Sequence, residues 1–123
     1  MTQRYLTGLF AAFALCYMTA AEIERGLTSH FSAWLNANGY GSYGFERTDL
    51  KGGAYGGKMS DDEAITHEPV VFFHGNSDVA VGYNYWQVGF TESIEYFLSQ
   101  GYTKGELYIT TWGPGSQLKS SQQ

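Results

Sequence analysis

The stretch Glu68-Pro69-Val70-Val71-Phe72-Phe73-His74-Gly75-Asn76 decides how the rest of the chain is read. From Pro69 onward five residues are apolar, β-branched or aromatic for the most part, and none alternates with a polar one. Such a run predicts a short strand buried on both faces, the habit of parallel sheets. It stops at His74-Gly75 and gives way to the polar loop Asn76-Ser77-Asp78. Open α/β sheets hold their ligands beyond the C-terminal ends of their strands, so this loop is the first candidate site.

Downstream, Trp86, Phe90, Ile94, Phe97 and Leu98 recur at the spacing of one helical face. Asn84 with Gln87 three residues later reads as a capping box, while Gly89 leaves a later start near Thr91 open. Gly101 is placed to end the helix at its C′ position. Glu106-Leu107-Tyr108-Ile109-Thr110-Thr111-Trp112 then reads as a second strand, closed by Gly113-Pro114-Gly115. Strand, helix and strand in this order imply a right-handed crossover between two parallel strands. The expected fold class is therefore α/β, with a parallel sheet.

Upstream, Leu27, Phe31, Trp34 and Leu35 predict a short amphipathic helix within residues 22–38, capped by Thr28 or Ser29 and stopped by Asn36-Ala37-Asn38-Gly39. His30 falls off that face and reads as solvent-exposed. Residues 39–57 hold seven glycines with tyrosines between them, which predicts loop or irregular extended chain. Phe45-Glu46-Arg47-Thr48-Asp49-Leu50 breaks that bias and marks a specific ordered loop. Asp61-Asp62-Glu63 and His67 lack the second spaced cluster that a metal site needs, so they read as a solvated loop and no metal is expected.

At the N-terminus, Arg4 precedes the apolar run Leu6 to Cys16, and Thr19-Ala20-Ala21 offers small residues for cleavage after Ala21. This is the pattern of a secretory signal peptide over residues 1–21, too short to span a bilayer. The expectation is a secreted, extracellular product with no transmembrane segment after cleavage. Cys16, the only cysteine, would leave with the signal. Seven basic against twelve acidic residues, with a net charge of −5 and no basic stripe, exclude nucleic acid as the expected partner. The chain thus divides into a signal (1–21), an N-terminal helix with a Gly/Tyr-rich lead-in (22–67) and a first βαβ unit (68–123).

Two parallel strands with one strong covering helix make a marginal sheet, since parallel sheets are covered on both faces. More βα units are therefore expected after Gln123, which makes this chain the N-terminal portion of a larger domain. The rival expectation is a small secreted protein that completes its sheet through a partner.

A strand ending in His-Gly-Asn suits an oxyanion loop, because acyl transfer needs backbone N–H donors aimed at the charge developing on a carbonyl oxygen. Asn76 would give its backbone N–H, Gly75 would let the backbone approach the substrate, and His74 would support the loop and not act as the base. A nucleophile elbow of the form G-x-S-x-G is absent. Gly75-Asn76-Ser77-Asp78-Val79 lacks the second glycine, and neither Asp nor His follows Trp112. The residues of this chain by themselves should not turn over an ester.

Three blocks, Pro69 to Asp78, Ser93 to Thr103 and Glu106 to Gly113, together with Arg47-Thr48-Asp49-Leu50 and Gly56-Gly57-Lys58, resemble the opening of the secreted class 2 lipases. Within that family the likeness is to the nematode-type group related to the small bacterial triacylglycerol lipases. The resemblance implies an α/β-hydrolase fold and a Ser-Asp-His carboxylic ester hydrolase acting on lipid esters. It implies no cofactor and no metal in the chemistry, and peripheral contact with a lipid surface. Only the oxyanion-loop function carries over, to His74, Gly75 and Asn76. The alternative is a secreted non-catalytic binding or structural protein that keeps the βαβ unit.

Overall fold

The computed structural model describes residues 23–114. The signal sequence expected over residues 1–21, with Cys16, and residues 115–123 lie outside the described residues. Four short strands and two helices follow in the order β1 (Gly26–Leu27), α1 (Ser29–Ala37), β2 (Ala54–Gly56), β3 (Val70–Val71), α2 (Thr91–Ser99) and β4 (Leu107–Thr110). The strands form one sheet in the order β1-β2-β4-β3.

The strand-helix-strand unit is present. β3 and β4 pair in parallel, Val70 opposite Leu107 and Val71 opposite Tyr108, with α2 between them in sequence. The Phe72 N–H prolongs the ladder to the Tyr108 carbonyl at 2.9 Å. The sheet as a whole is mixed, however, and corrects the expectation of a parallel one. β2 runs antiparallel to β4, pairing Tyr55 with Ile109, and β1 is parallel to β2. The fold belongs to the α/β class, with a small mixed sheet.

The strand β2 comes from the glycine-rich lead-in expected to be loop or irregular extended chain, and it is buried along its whole length. Glycine is what makes this possible. Gly56 has φ +127°, and a Cβ built on it would lie 2.1 Å from the Leu107 carbonyl oxygen. The two backbones approach so closely that no side chain fits between them. Glycine spacing hid this strand from a reading based on β-branched residues.

β3 is an edge strand, not one buried on both faces. Val71 is 56% and Phe73 81% exposed, while Val70 and Phe72 turn toward the core. The unbroken apolar run conceals an ordinary alternation in which one side is packed and the other uncovered.

α2 packs on the inward side. Ile94 is fully buried, and Phe90 and Phe97 join it against Tyr55, Leu107 and Ile109. Phe72 meets Phe90 and Phe97 with ring centroids 5.0 and 5.8 Å apart. The helix begins at Thr91, the later start, and Trp86 lies outside it. Residues before it are drawn off by an antiparallel bridge between Val81 and Gly89 and by the Phe90 N–H bonding to the Ala80 carbonyl at 2.9 Å. Asn84 caps a turn in that segment and not the helix. At the other end Gly101, φ +91°, donates to Leu98 O and Tyr102 donates to Phe97 O, the paired bonds of a Schellman stop.

α1 is capped by Thr28, whose hydroxyl oxygen accepts from the Phe31 N–H at 3.1 Å. His30 is partly covered, and its Nε2 lies 3.3 Å from an Asp61 carboxylate oxygen. From α1 a row of rings, Phe31, Trp34, Tyr40, Tyr43 and Phe45, runs with successive centroids 5.8–6.3 Å apart. The tyrosines of the lead-in therefore extend an aromatic row begun on a helix.

Candidate functional site

The C-terminal ends of β3 and β4 bring His74 and Trp112 side by side. Their rings stack at 5.1 Å with an interplanar angle of 8°. The Trp112 backbone N–H donates to His74 Nε2 at 3.0 Å, and its indole N–H donates to the His74 carbonyl at 2.9 Å. With Nε2 accepting, the ring proton sits on Nδ1, which faces the Gly75 carbonyl at 2.9 Å. Both ring nitrogens of this buried histidine are thus engaged by the backbone. It ties the two strand ends together and fixes the carbonyl of the residue that follows.

Beyond it the loop opens. Gly75 and Asn76 are exposed, and a Cβ placed on Gly75 would meet no atom within 4 Å. Space for a ligand exists on that side. Ser77 takes φ +70°, and the Asp78 carboxylate accepts from the Val79 N–H at 2.9 Å, so the chain turns back into the buried segment Val79–Val81. The Gln87 side-chain amide donates to the Ser77 carbonyl at 3.2 Å and braces the loop from the following segment.

Beneath the loop, Thr111 is fully buried and pins three segments. Its hydroxyl oxygen accepts from the Ala80 N–H at 3.0 Å, its N–H donates to Gly53 O at 2.9 Å, and its carbonyl receives the Arg47 guanidinium at 2.8 Å. Arg47 forms a two-pronged pair with Asp49 at 2.9 and 2.8 Å. That hydrogen bonding raises the Arg47 pKa and lowers that of Asp49. The segment Arg47-Thr48-Asp49-Leu50 is an ordered clamp, as its break in glycine bias suggested.

At the opposite end of β4 lies a feature that the sequence reading passed over. Glu106 is fully buried and accepts from the backbone N–H groups of Thr66, His67 and Thr103, and from the His67 ring at 3.0 Å. Desolvation pushes its pKa up, but these donors outweigh it and bring the carboxyl down to about 2. His67 in turn stacks on Tyr102 at 4.2 Å. The spacing Thr103-x-x-Glu106, at which a carboxylate reaches back to the amide three residues earlier, was the signal in the sequence. The structure therefore directs His67 to Glu106, away from the acidic patch Asp61-Asp62-Glu63. Among the described residues no group of three or more His, Cys, Asp or Glu side chains gathers as metal ligands would.

The uncovered side of the sheet forms an open apolar groove of about 580 Å³, lined among others by Phe31, Trp34, Val71, Phe73, Tyr108 and Trp112. It reaches the site through Phe73 and Trp112.

Fold and site together define an α/β protein with a polar, glycine-containing loop at the C-terminal ends of a parallel strand pair. Residues 67–123 match the family model described as lipase (class 2). Over these residues the chain is similar to the class 2 lipase family, as a partial N-terminal portion of its domain, and the match suggests a lipase-like hydrolase function at family level. The matched segment includes His74, Gly75 and Asn76, while Arg47 to Leu50 and Gly56 to Lys58 precede it. No curated protein and no solved structure matches the chain.

Proposed function

We propose that this chain supplies the oxyanion-loop portion of a secreted α/β-hydrolase that cleaves lipid carboxylic esters through an acyl-serine intermediate. The observation that carries this reading is the loop His74-Gly75-Asn76. It stands at the C-terminal end of a parallel strand, inside the matched segment, with open space beside Gly75. The Asn76 backbone N–H would meet the oxyanion, and His74, held by Trp112, would keep the loop in place. The serine, acid and base are assigned to further sequence of the same domain, because the match covers an N-terminal portion and no G-x-S-x-G occurs here. Neither metal nor cofactor has a part in this mechanism.

A second reading, a secreted binding protein without catalysis, is favoured by the open apolar groove. One experiment separates the two. The intact mass of the native secreted product is measured, and the same material is treated with a serine-reactive phosphonate and assayed on lipid esters. A mass well above 13.7 kDa with one phosphonate adduct and ester turnover supports the hydrolase. A product of only this chain's length, with no adduct and no turnover, overturns it in favour of the binding protein.

A further inference from the structure

Tyr85 and Trp86 are the most exposed large hydrophobic residues among the described residues, at 84% and 86%. They stand at the tip of a built hairpin and not on a loose loop. The Val81–Gly89 bridge closes its base, and the Tyr83 N–H donates to Gln87 O at 3.1 Å. The Asn84 side-chain oxygen accepts from the N–H groups of both Trp86 and Gln87 at 2.9 Å, and the Tyr83 hydroxyl bonds to the Gln87 side chain. The two rings meet edge to face at 5.1 Å, and Val88 beside them is also exposed. A turn this well satisfied, presenting its largest apolar groups outward, leaves them to meet something other than water.

Chemistry narrows what that is. No charged residue occurs from Val79 to Thr91, although the chain as a whole carries a net charge of −5. Tyrosine and tryptophan each join an apolar body to a polar N–H or O–H, which places them at the boundary between hydrocarbon and water. The uncharged tip with this pair suits a zwitterionic or neutral lipid surface, and the nearest cations stay at the base of the hairpin, Arg25 on the Gly82 carbonyl and Lys51 over the Tyr83 ring. The hairpin is also tied to the candidate site, since Gln87 donates to the Ser77 carbonyl, one residue past Asn76.

We infer that the hairpin of residues 82–89 is an interfacial anchor, which inserts Tyr85 and Trp86 into a lipid surface and sets the His74-Gly75-Asn76 loop against it. For its class of partner the inference rests on the lipid-ester reading above, but its test does not depend on turnover. The full-length secreted product and its Tyr85→Ser/Trp86→Ser variant are mixed with phosphatidylcholine vesicles, and the bound fraction is measured by sedimentation at low and high salt. Quenching of Trp86 fluorescence by brominated lipid is followed in parallel, as the difference between wild type and Trp86→Phe.

The wild type should bind equally at both salt concentrations with Trp86 quenched. The double variant should fold with an unchanged melting midpoint and bind roughly tenfold more weakly for each ring removed. Absence of vesicle binding, unchanged binding by the variant, binding that requires anionic lipid, or a Trp86 shielded by another part of the protein or a second copy would each overturn the anchor. Vesicle binding through the rings without ester turnover would leave the anchor standing and remove only the hydrolase.

Discussion

Two residues carry most of the local chemistry, and each makes a prediction. Asn76 is proposed to act through its backbone N–H, which substitution by alanine preserves. Losing a donor outright costs about 2.7–4 kcal/mol of transition-state stabilisation in comparable sites. Asn76→Ala in the full-length protein should therefore lower kcat far less than that range implies; a loss of that size in steady-state kinetics would show that the side chain itself takes part. Glu106 concerns stability. Its carboxyl is held at about 2 in the folded chain, below its ordinary value of 4.5. The stability it contributes is complete above pH 4.5 and drains away as the pH falls toward 2. Glu106→Gln should destabilise the protein at neutral pH and flatten the acid limb between those values. Denaturant unfolding at a series of pH values measures both effects, and an unaltered acid limb would assign that limb to other carboxylates.

At the scale of elements, the decisive piece is β2, a glycine-flanked strand wedged between β1 and β4. Gly56→Ala would press a methyl group onto the Leu107 carbonyl at a backbone angle that alanine resists. A loss on the order of 1–3 kcal/mol is expected, within the usual cost of strain and overpacking. Gly75→Ala has empty space around it and serves as the contrast, with a change near zero expected in the same unfolding experiment. Equal losses at the two positions would mean that β2 is not packed against β4 in this way. The helices were more legible than the strands. Thr28, Gly101 and the Phe90-Ile94-Phe97 stripe read correctly because caps and helical periodicity are local properties. Trp86 was misplaced because its spacing fits the helix, while a hairpin closed by Val81 and Gly89 claims it first.

For the whole molecule, the uncovered side of the sheet matters most. Val71 on the edge strand β3 and Phe73 just beyond it, with the groove beside α1, expose apolar surface and an unpaired strand edge together. Such an edge is a template for pairing with another chain. The isolated polypeptide of residues 22–123 should accordingly self-associate with rising concentration and bind a hydrophobic dye. Val71→Lys/Phe73→Lys should reduce both effects, as read by sedimentation velocity and dye fluorescence. A wild-type chain that stays monomeric and dark at high concentration would show that the face is already protected. No helix among the described residues is long and apolar enough to cross a membrane.

The sequence by itself determined the α/β class, the parallel β3–β4 pair with its intervening helix, the helix stops, and the place of the His74-Gly75-Asn76 loop at a strand end. These follow from short-range periodicity, capping and turn chemistry, which a chain carries along its length. Only the tertiary structure decided that Gly56 lies in a central strand against Leu107, that His74 and Trp112 share a stack, that Arg47 clamps Thr111, and that Glu106 gathers the amides of Thr66 and His67. Each of these pairs residues far apart in sequence. Their bonds form only when the backbone has already brought the groups together, so no spacing along the chain records them.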